Sequence, residues 1–474
     1  MRVVGMLLCG LAGVMLVPAA VDAAFANPDW RAFLTAAAIT GFTGGALLTS
    51  AWSSEPFELG LRQAFVLTAM CWVAVPAFSA LPLLGLGVGY TDAFFEAISG
   101  VTTTGSTVFV GLDTLPPGIL IWRALLQWIG GVGIIVMAIA IMPILRVGGM
   151  QLFKTESSER SEKVVPGTFQ LAAWITAIYV SLTLACAIAY GLAGMSAFDA
   201  IAHAMTTLCT GGYATHDDSF AFFASPAMDW TASLFMLSGA LPFVAYIRLA
   251  RGDRLALWRD GQVRALVVFL AFTSAVMGLW LVVARGIAPA EAARLSVFNI
   301  TSVVTTTGFA NADYTAWGAL AVAVFLVLTF SGGCTGSTSG AIKVYRHLVL
   351  LIVVRGQLRR LASRRRVIAL TYGGRRLPDD VPASVLAFIA VYLASVAVFT
   401  ILLAGMGLDL VTALSASATA ISNVGPGLGP IVGPAGNFAS LPDAAKWILS
   451  AAMLLGRLEI FTVLVLLDPG FWRS

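Results

Sequence analysis

The chain has 474 residues, 59% of them hydrophobic and only 11% charged, with a mean hydropathy of +0.90. Soluble domains carry about 25% charged residues, so an ordinary cytosolic enzyme is excluded; so is a disordered chain, which needs low hydrophobicity and high charge. A net charge of +4 is small for this length, so where the charges fall matters more than their sum.

Apolar runs, each long enough to cross roughly 30 Å of hydrocarbon, predict a multi-pass helical membrane protein. The spans lie near residues 3–24, 32–52, 64–86, 118–145, 167–193, 227–249, 264–284, 316–354, 383–405 and 444–467. The first follows Arg2 and ends in the small-residue stretch Ala19 to Ala26, so it also fits a secretory signal. The closely following span and the many later ones favour a retained helix. The 316–354 stretch is too long and too rich in glycine for one straight helix. Five scattered cysteines (Cys9, Cys71, Cys186, Cys209, Cys334) and three dispersed histidines suggest neither a disulfide framework nor a zinc site.

Between alternate spans sit segments too polar to cross and too apolar to be free loops: 91–110, 197–217, 291–314 and 409–430. Irregular backbone at membrane depth is tolerated where it lines a cavity. Basic residues collect in the other loops, 146–163, 248–264 and 343–376, the last holding Lys343, Arg346, Arg355, Arg359, Arg360, Arg364, Arg365, Arg366, Arg375 and Arg376. The positive-inside rule then puts both termini and these loops in the cytoplasm, and all four semi-polar segments open from the outer side.

Those segments form an internal repeat. They read DAFFEAISGVTTTGST from Asp92, FDAIAHAMTTLCTGGYATHD from Phe198, EAARLSVFNITSVVTTTGFA from Glu291 and DLVTALSASATAISNVGPGLG from Asp409. Each opens on an acid (Asp92, Asp199, Glu291, Asp409) suited to the positive end of a short helix. Each then reaches a glycine, and the alignment pairs Gly105, Gly211, Gly308 and Gly425. The unit is span, pore helix, glycine loop, span, repeated four times after two N-terminal spans. This divides the chain into 1–62, 63–150, 151–261, 262–376 and 377–474. Four helix C-termini on one axis favour a cation, and carbonyls beside a glycine can replace its hydration shell. A single TTTG is more simply a helix-packing feature; four copies in register on one side of the membrane point to a filter.

Five segments carry a family resemblance: Trp122–Gly133 (WRALLQWIGGVG), Ser302–Phe309 (SVVTTTGF), Ser331–Lys343 (SGGCTGSTSGAIK), Asn423–Gly429 (NVGPGLG) and Leu455–Phe461 (LGRLEIF). Over nearly its whole length the chain resembles the membrane subunits of the Trk/Ktr/HKT superfamily of potassium transporters, most of all its TrkH branch. The resemblance implies four channel-like repeats around one pore, with a potassium filter at Thr103, Thr104, Gly105, Cys209, Thr210, Gly211, Thr306, Thr307, Gly308, Asn423, Val424 and Gly425. It implies a gating loop below the filter, here Ser331, Gly332, Gly333, Gly336, Ser337 and Gly340, whose glycines and hydroxyls also suit it poorly to a straight helix. Arg457 would add an electrostatic barrier, since a charge within a span is expensive and usually functional, and Lys343 would reinforce it. Glu459, about 200° further round a helix, would face elsewhere.

The resemblance also implies a homodimer in the bacterial inner membrane and a ring of TrkA-like nucleotide-binding regulators on the cytoplasmic face. Arg359, Arg360, Arg364 and Arg365 are the expected docking residues. Topology or anionic lipid also explains such a basic cluster. Neither GxGxxG nor a Walker motif occurs, so nucleotide control would come through the partner; no cofactor in this chain and no nucleic-acid partner are expected. Channel-like flow and flow coupled to protons or sodium share these motifs. A sodium-permeable relative would tend to carry serine at the first filter glycine. A membrane-embedded enzyme would need more than the His203–Asp199 and His216–Asp217 neighbours, which lack a nucleophile or metal-ligand set.

Overall fold

The computed structural model describes residues 1–51, 60–140, 168–362 and 369–473. Arg2–Ala24 (α1) and Trp30–Ser50 (α2) form a hairpin whose helices meet at small residues, as membrane helices do where backbones approach closely. A Cβ on Gly5 would lie 2.8 Å from the Gly44 carbonyl oxygen, and one on Gly44 2.9 Å from that of Gly5. At the end of α1, the fully buried Asp22 accepts a 2.6 Å hydrogen bond from Gly118 N. That amide is one of the unsatisfied donors at the start of Pro117–Ala140 (α5). The hairpin is therefore bonded to the bundle as well as packed on it.

The first repeat is Leu61–Ser79 (α3), the short helix Tyr90–Val101 (α4) and α5. The second is Thr168–Leu192 (α6), Ala197–Leu208 (α7) and Pro226–Gly239 (α8), which turns by 95° into Phe243–Ala250 (α9). Gly261–Arg285 (α10), Pro289–Val304 (α11) and Ala319–Leu328 (α12) lead into the third repeat's loop and Val344–Ala362 (α13). Asp380–Ala404 (α14), Leu410–Ser422 (α15) and Asp443–Arg457 (α16) complete the fourth; α16 bends by 106° into a helix that begins at Phe461 (α17). A pore helix is present in each repeat and a helix lies at each predicted span; the 316–354 stretch is split into α12 and α13, and the expected end of the 118–145 span lies outside the described residues. Helix α5 is buried over 72% of its apolar window against 22% for α14, which places α5 inside the bundle and α14 on the lipid side.

Two spans expected to be continuous, 227–249 and 444–467, are broken. The first break falls at Ala240–Pro242, where proline cannot donate to the preceding turn. Backbone groups freed at membrane depth need partners, and the loop after α12 supplies them. Cys334 N donates to Ala240 O at 2.9 Å, Thr338 Oγ1 to Gly239 O at 2.9 Å, and Phe243 N to Gly336 O at 3.0 Å. Past α13, Thr371–Tyr372 pairs antiparallel with Arg375–Arg376 across Gly373 and Gly374, both with positive φ. This is the glycine-rich hairpin turn that right-handed strand twist favours, and Tyr372 packs edge-on to Tyr345 of α13.

Candidate ion pathway

All four pore helices, α4, α7, α11 and α15, end in the same way. The sixth residue of the turn donates to the first carbonyl and the fifth to the second, the bond pattern of a Schellman motif. In α4 these are Thr104 N to Ser99 O (2.8 Å) and Thr103 N to Gly100 O (2.9 Å). The matching pairs run from Gly211 and Thr210, from Thr307 and Thr306, and from Val424 and Asn423. The motif needs a left-handed residue, usually glycine. Here it is Thr103, Thr210, Thr306 and Asn423, with φ of 52°, 51°, 60° and 54°. A β-branched residue in that region is strained, and such strain gathers at functional sites.

Two residues on, the chain returns to positive φ at Gly105 (87°), Gly212 (78°), Gly308 (85°) and Gly425 (109°). The expected alignment needs correction here: Gly212, not Gly211, stands level with the other three glycines. Gly211 occupies the place of Thr104, Thr307 and Val424, and Cys209 that of Thr102 and Thr305 at the helix end. In CTGG, pairing the first glycine with those of TTTG shifts the strand by one, and only the backbone resolves the doublet. A Cβ on Gly105 would collide with Gly211 O, on Gly212 with Thr307 O, and on Gly308 with Val424 O; on Gly425 it would lie 2.9 Å from Thr104 O. Each repeat thus sets its glycine against the carbonyl of the next, and the fourth closes on the first.

Most carbonyls of this ring lack a donor among the described residues. Buried carbonyls are nearly always paired. Yet of the three carbonyls contributed by each of four repeats, described residues donate only to Gly211 O, from Gln127 Nε2 at 2.7 Å, and to Gly425 O, from Ser106 Oγ at 2.8 Å. The strands are held instead from behind. Gln127 Oε1 accepts from Tyr213 N at 3.0 Å, filling the space that a side chain at Gly211 would need. Tyr213 OH donates to Glu96 O at 2.8 Å, and its ring lies 4.1 Å from the Arg123 guanidinium carbon. Arg123, fully enclosed, pairs with Glu96 at 2.8 Å and donates to Ala214 O at 2.9 Å. Glu96, Arg123, Gln127 and Tyr213 were not singled out from the sequence. The signal was available: an arginine and a glutamine four residues apart within a span.

Three of the four initial acids sit in the first turn of their helix, while Asp409 is itself the cap, accepting from Val411 N and Thr412 N, both at 3.1 Å. Asp92 pairs with Lys446 at 2.6 Å and Asp199 accepts from Thr215 at 2.7 Å. On the mouth away from the basic segments, Gly105, Gly212, Gly308 and Gly425 share one cavity with His216 and Asp217. Asp217 accepts from Gly111 N at 2.9 Å, and His216 is bonded to Asp113; that hydrogen bond holds the Asp113 carboxyl below its ordinary range. His203 is a core residue among Phe220, Phe223 and Phe309, bonded to the Asp199 backbone rather than its carboxylate.

Below this ring lies the loop after α12. Gly332 N donates to Ile342 O at 3.0 Å and Val344 N to Gly333 O at 3.1 Å, closing its two ends together. Ser337 bonds back to Cys334 O at 2.6 Å. Its tip touches three of the four left-handed residues of the ring: Thr338 Oγ1 accepts from Thr210 at 3.1 Å, Gly340 N donates to Thr306 Oγ1 at 2.7 Å, and Gly340 packs on Asn423. Arg457, 3% exposed, donates to Thr338 O at 2.9 Å and reaches Gly130 O at 3.5 Å. Lys343 turns back onto Ser339 O.

Glu459 departs from expectation. The 200° separation assumed an unbroken helix, but α16 ends at Arg457 and Glu459 has a φ of 58°, so both side chains border one cavity below the loop. Glu459 pairs there with Arg346 at 2.5 Å. Of the expected docking residues, Arg359 and Arg360 are exposed in the last turn of α13; Arg364 and Arg365 lie outside the described residues.

The family described as TrkH, cation transport protein, matches residues 31–469. The Trk system potassium uptake protein TrkI of Halomonas elongata is 48% identical, across 100% of this chain and 96% of its own. The Trk system potassium uptake protein TrkH of Escherichia coli is 37% identical, across 100% and 99%. The crystal structure of the potassium transporter TrkH from Vibrio parahaemolyticus superposes with a TM-score of 0.92 at 36% identity, covering 100% of this chain and 98% of that one.

Proposed function

We propose that this chain, which belongs to the TrkH family of cation transport proteins, carries potassium ions across the bacterial inner membrane into the cell. Its relatives are named as potassium uptake proteins and a potassium transporter, so the chain is grouped with transporters and not with enzymes. The observation that carries the reading is the closed ring of filter carbonyls, most of them on buried residues, that described residues leave largely without donors. A dehydrated cation completes such a ring, and the negative ends of four pore helices favour it there.

The residues divide by level. Thr103, Thr104 and Gly105, Thr210 to Gly212, Thr306 to Gly308, and Asn423 to Gly425 hold the ion. The loop from Ser331 to Gly340 blocks the path below, with Arg457 and Lys343 as the charge barrier. Helix α13 begins one residue after Lys343 and runs to Ala362. It is a lever from the gate to the basic face on which a TrkA-like nucleotide-binding regulator docks, at Arg359 and Arg360 and the segment that follows. A nucleotide there shifts the gate by its differential affinity for the two states. Both termini are cytoplasmic, and two copies associate, each with its own pore.

Purified protein in liposomes should accumulate rubidium down an imposed gradient. Excess potassium outside should suppress that uptake, and equimolar sodium should leave it nearly unchanged. Equal suppression by sodium would refute a potassium pathway.

A further inference from the structure

A second cavity, of about 290 Å³, lies where the two ends of the gate loop come together. Its walls are Leu266 and Phe269 of α10, Gly332 of the loop, and Val344, Leu348 and Leu351 of α13. The size is near the lower end of small-molecule pockets, about 300 Å³. Its inner wall is closed, with Leu266 1% and Val344 8% exposed, while Phe269 at 37% and Leu351 at 43% open its lip. Beside that lip Val268 and Phe272 are each 67% exposed, on a helix of membrane-spanning length. The cavity therefore opens to lipid tails rather than to water.

An acyl chain entering from the bilayer gains no hydrophobic transfer, because the tails are as apolar as the wall. Any preference has to come from the headgroup. The two helices that wall the cavity carry arginines toward their basic ends: Arg264 just before Ala265 on α10, and Arg355 one turn beyond Leu351 on α13. Both are exposed, and neither is ion-paired among the described residues. Free arginines at that level attract anionic headgroups. We propose that the cavity holds one acyl chain of an anionic phospholipid whose phosphate is held by Arg264 and Arg355. The chain would rest against Gly332 and Val344, on either side of the bridge between Ser331 and Ile342.

The test uses the full-length protein in bilayers containing phosphatidylglycerol with a photoreactive diazirine in its acyl chain, and phosphatidylcholine bearing the same group. Irradiation should label peptides covering 265–269 and 344–351, at least about tenfold more with phosphatidylglycerol; unlabelled phosphatidylglycerol should compete and phosphatidylcholine should not. Leu348→Trp, which fills the cavity, should remove the labelling while elution and thermal melting stay those of the parent. Should that variant not fold, the double variant Arg264→Gln, Arg355→Gln serves: its phosphatidylglycerol labelling should fall to the phosphatidylcholine level. Equal labelling by both lipids, or none at these peptides, overturns the proposal. The readout involves no ion flux, so it stands or falls apart from the transport reading.

Discussion

Gly212→Ala is expected to cost at least about tenfold in potassium selectivity, or about 1.4 kcal/mol, and Gly211→Ala less than that. At Gly212 the backbone has a φ of 78° and the new methyl would strike Thr307 O. The left-handed conformation alone costs an L-residue about 1–2 kcal/mol, and relieving the collision moves a ring carbonyl. Gly211 has no positive φ, and its new methyl would meet only the end of the Gln127 side chain, at 2.5 Å. Displacing Gln127 costs its bonds to Gly211 O and Tyr213 N, whereas at Gly212 the backbone of a neighbouring strand has to move. Reversal potentials in potassium–sodium gradients read the difference: Gly212→Ala should lose at least about tenfold in permeability ratio. If Gly211→Ala is the more damaging, the strand register derived from the backbone is wrong. Gly105→Ser, at the matching position of the first repeat, should weaken selectivity in the same way.

Arg457→Ala is expected to raise basal cation flux, and Arg457→Lys to leave it low. The guanidinium is buried below the ring of glycine strands and bonded to Thr338 O at the tip of the loop. A unit charge about 5 Å from a permeating cation opposes it by roughly 3 kcal/mol at an effective dielectric of about 20. That bounds the effect near two decades, and a rise of about 10- to 100-fold is expected. Lysine keeps the charge but cannot span both Thr338 O and Gly130 O, so it separates repulsion from the tie. Rubidium efflux from liposomes without any regulator measures each variant. A flux equal to the parent's in Arg457→Ala, with normal folding, would remove the residue from the barrier; a leaky Arg457→Lys would assign the effect to the hydrogen bonds instead.

What could be read from the residues, and what could not, follows from range. Spans, pore helices and the fourfold repeat depend on hydropathy and on local acids and glycines such as Asp409 and Gly425, so they were legible. The interruption at Ser331–Lys343 was legible for the same reason, being a run of poor helix formers. The bend at Ala240–Pro242 was signalled by its proline, but a proline inside a span is compatible with a simple kink. What makes it a right-angled turn is the loop of another repeat, which takes up the freed carbonyls. The placement of Glu459 has the same origin: a helical wheel applies only while the helix continues, and this one ends at Arg457. Gly212 was missed because neighbouring glycines are interchangeable in sequence and differ only in φ and in what faces them. The buried Glu96–Arg123 pair joins residues of adjacent helices, and no local pattern announces that they meet.

The proposed ion site can be examined without measuring transport. Crystals grown in rubidium and measured at the rubidium absorption edge should show anomalous density on the axis enclosed by Thr104 O, Gly211 O, Thr307 O and Val424 O, within about 3 Å of those oxygens, as carbonyls that replace a hydration shell require. Soaking in sodium should remove it, and potassium should restore ordinary density at the same place. Anomalous density confined to the outer mouth near His216 and Asp217, with none between the four strands, would contradict the assignment of this ring as the ion-binding site.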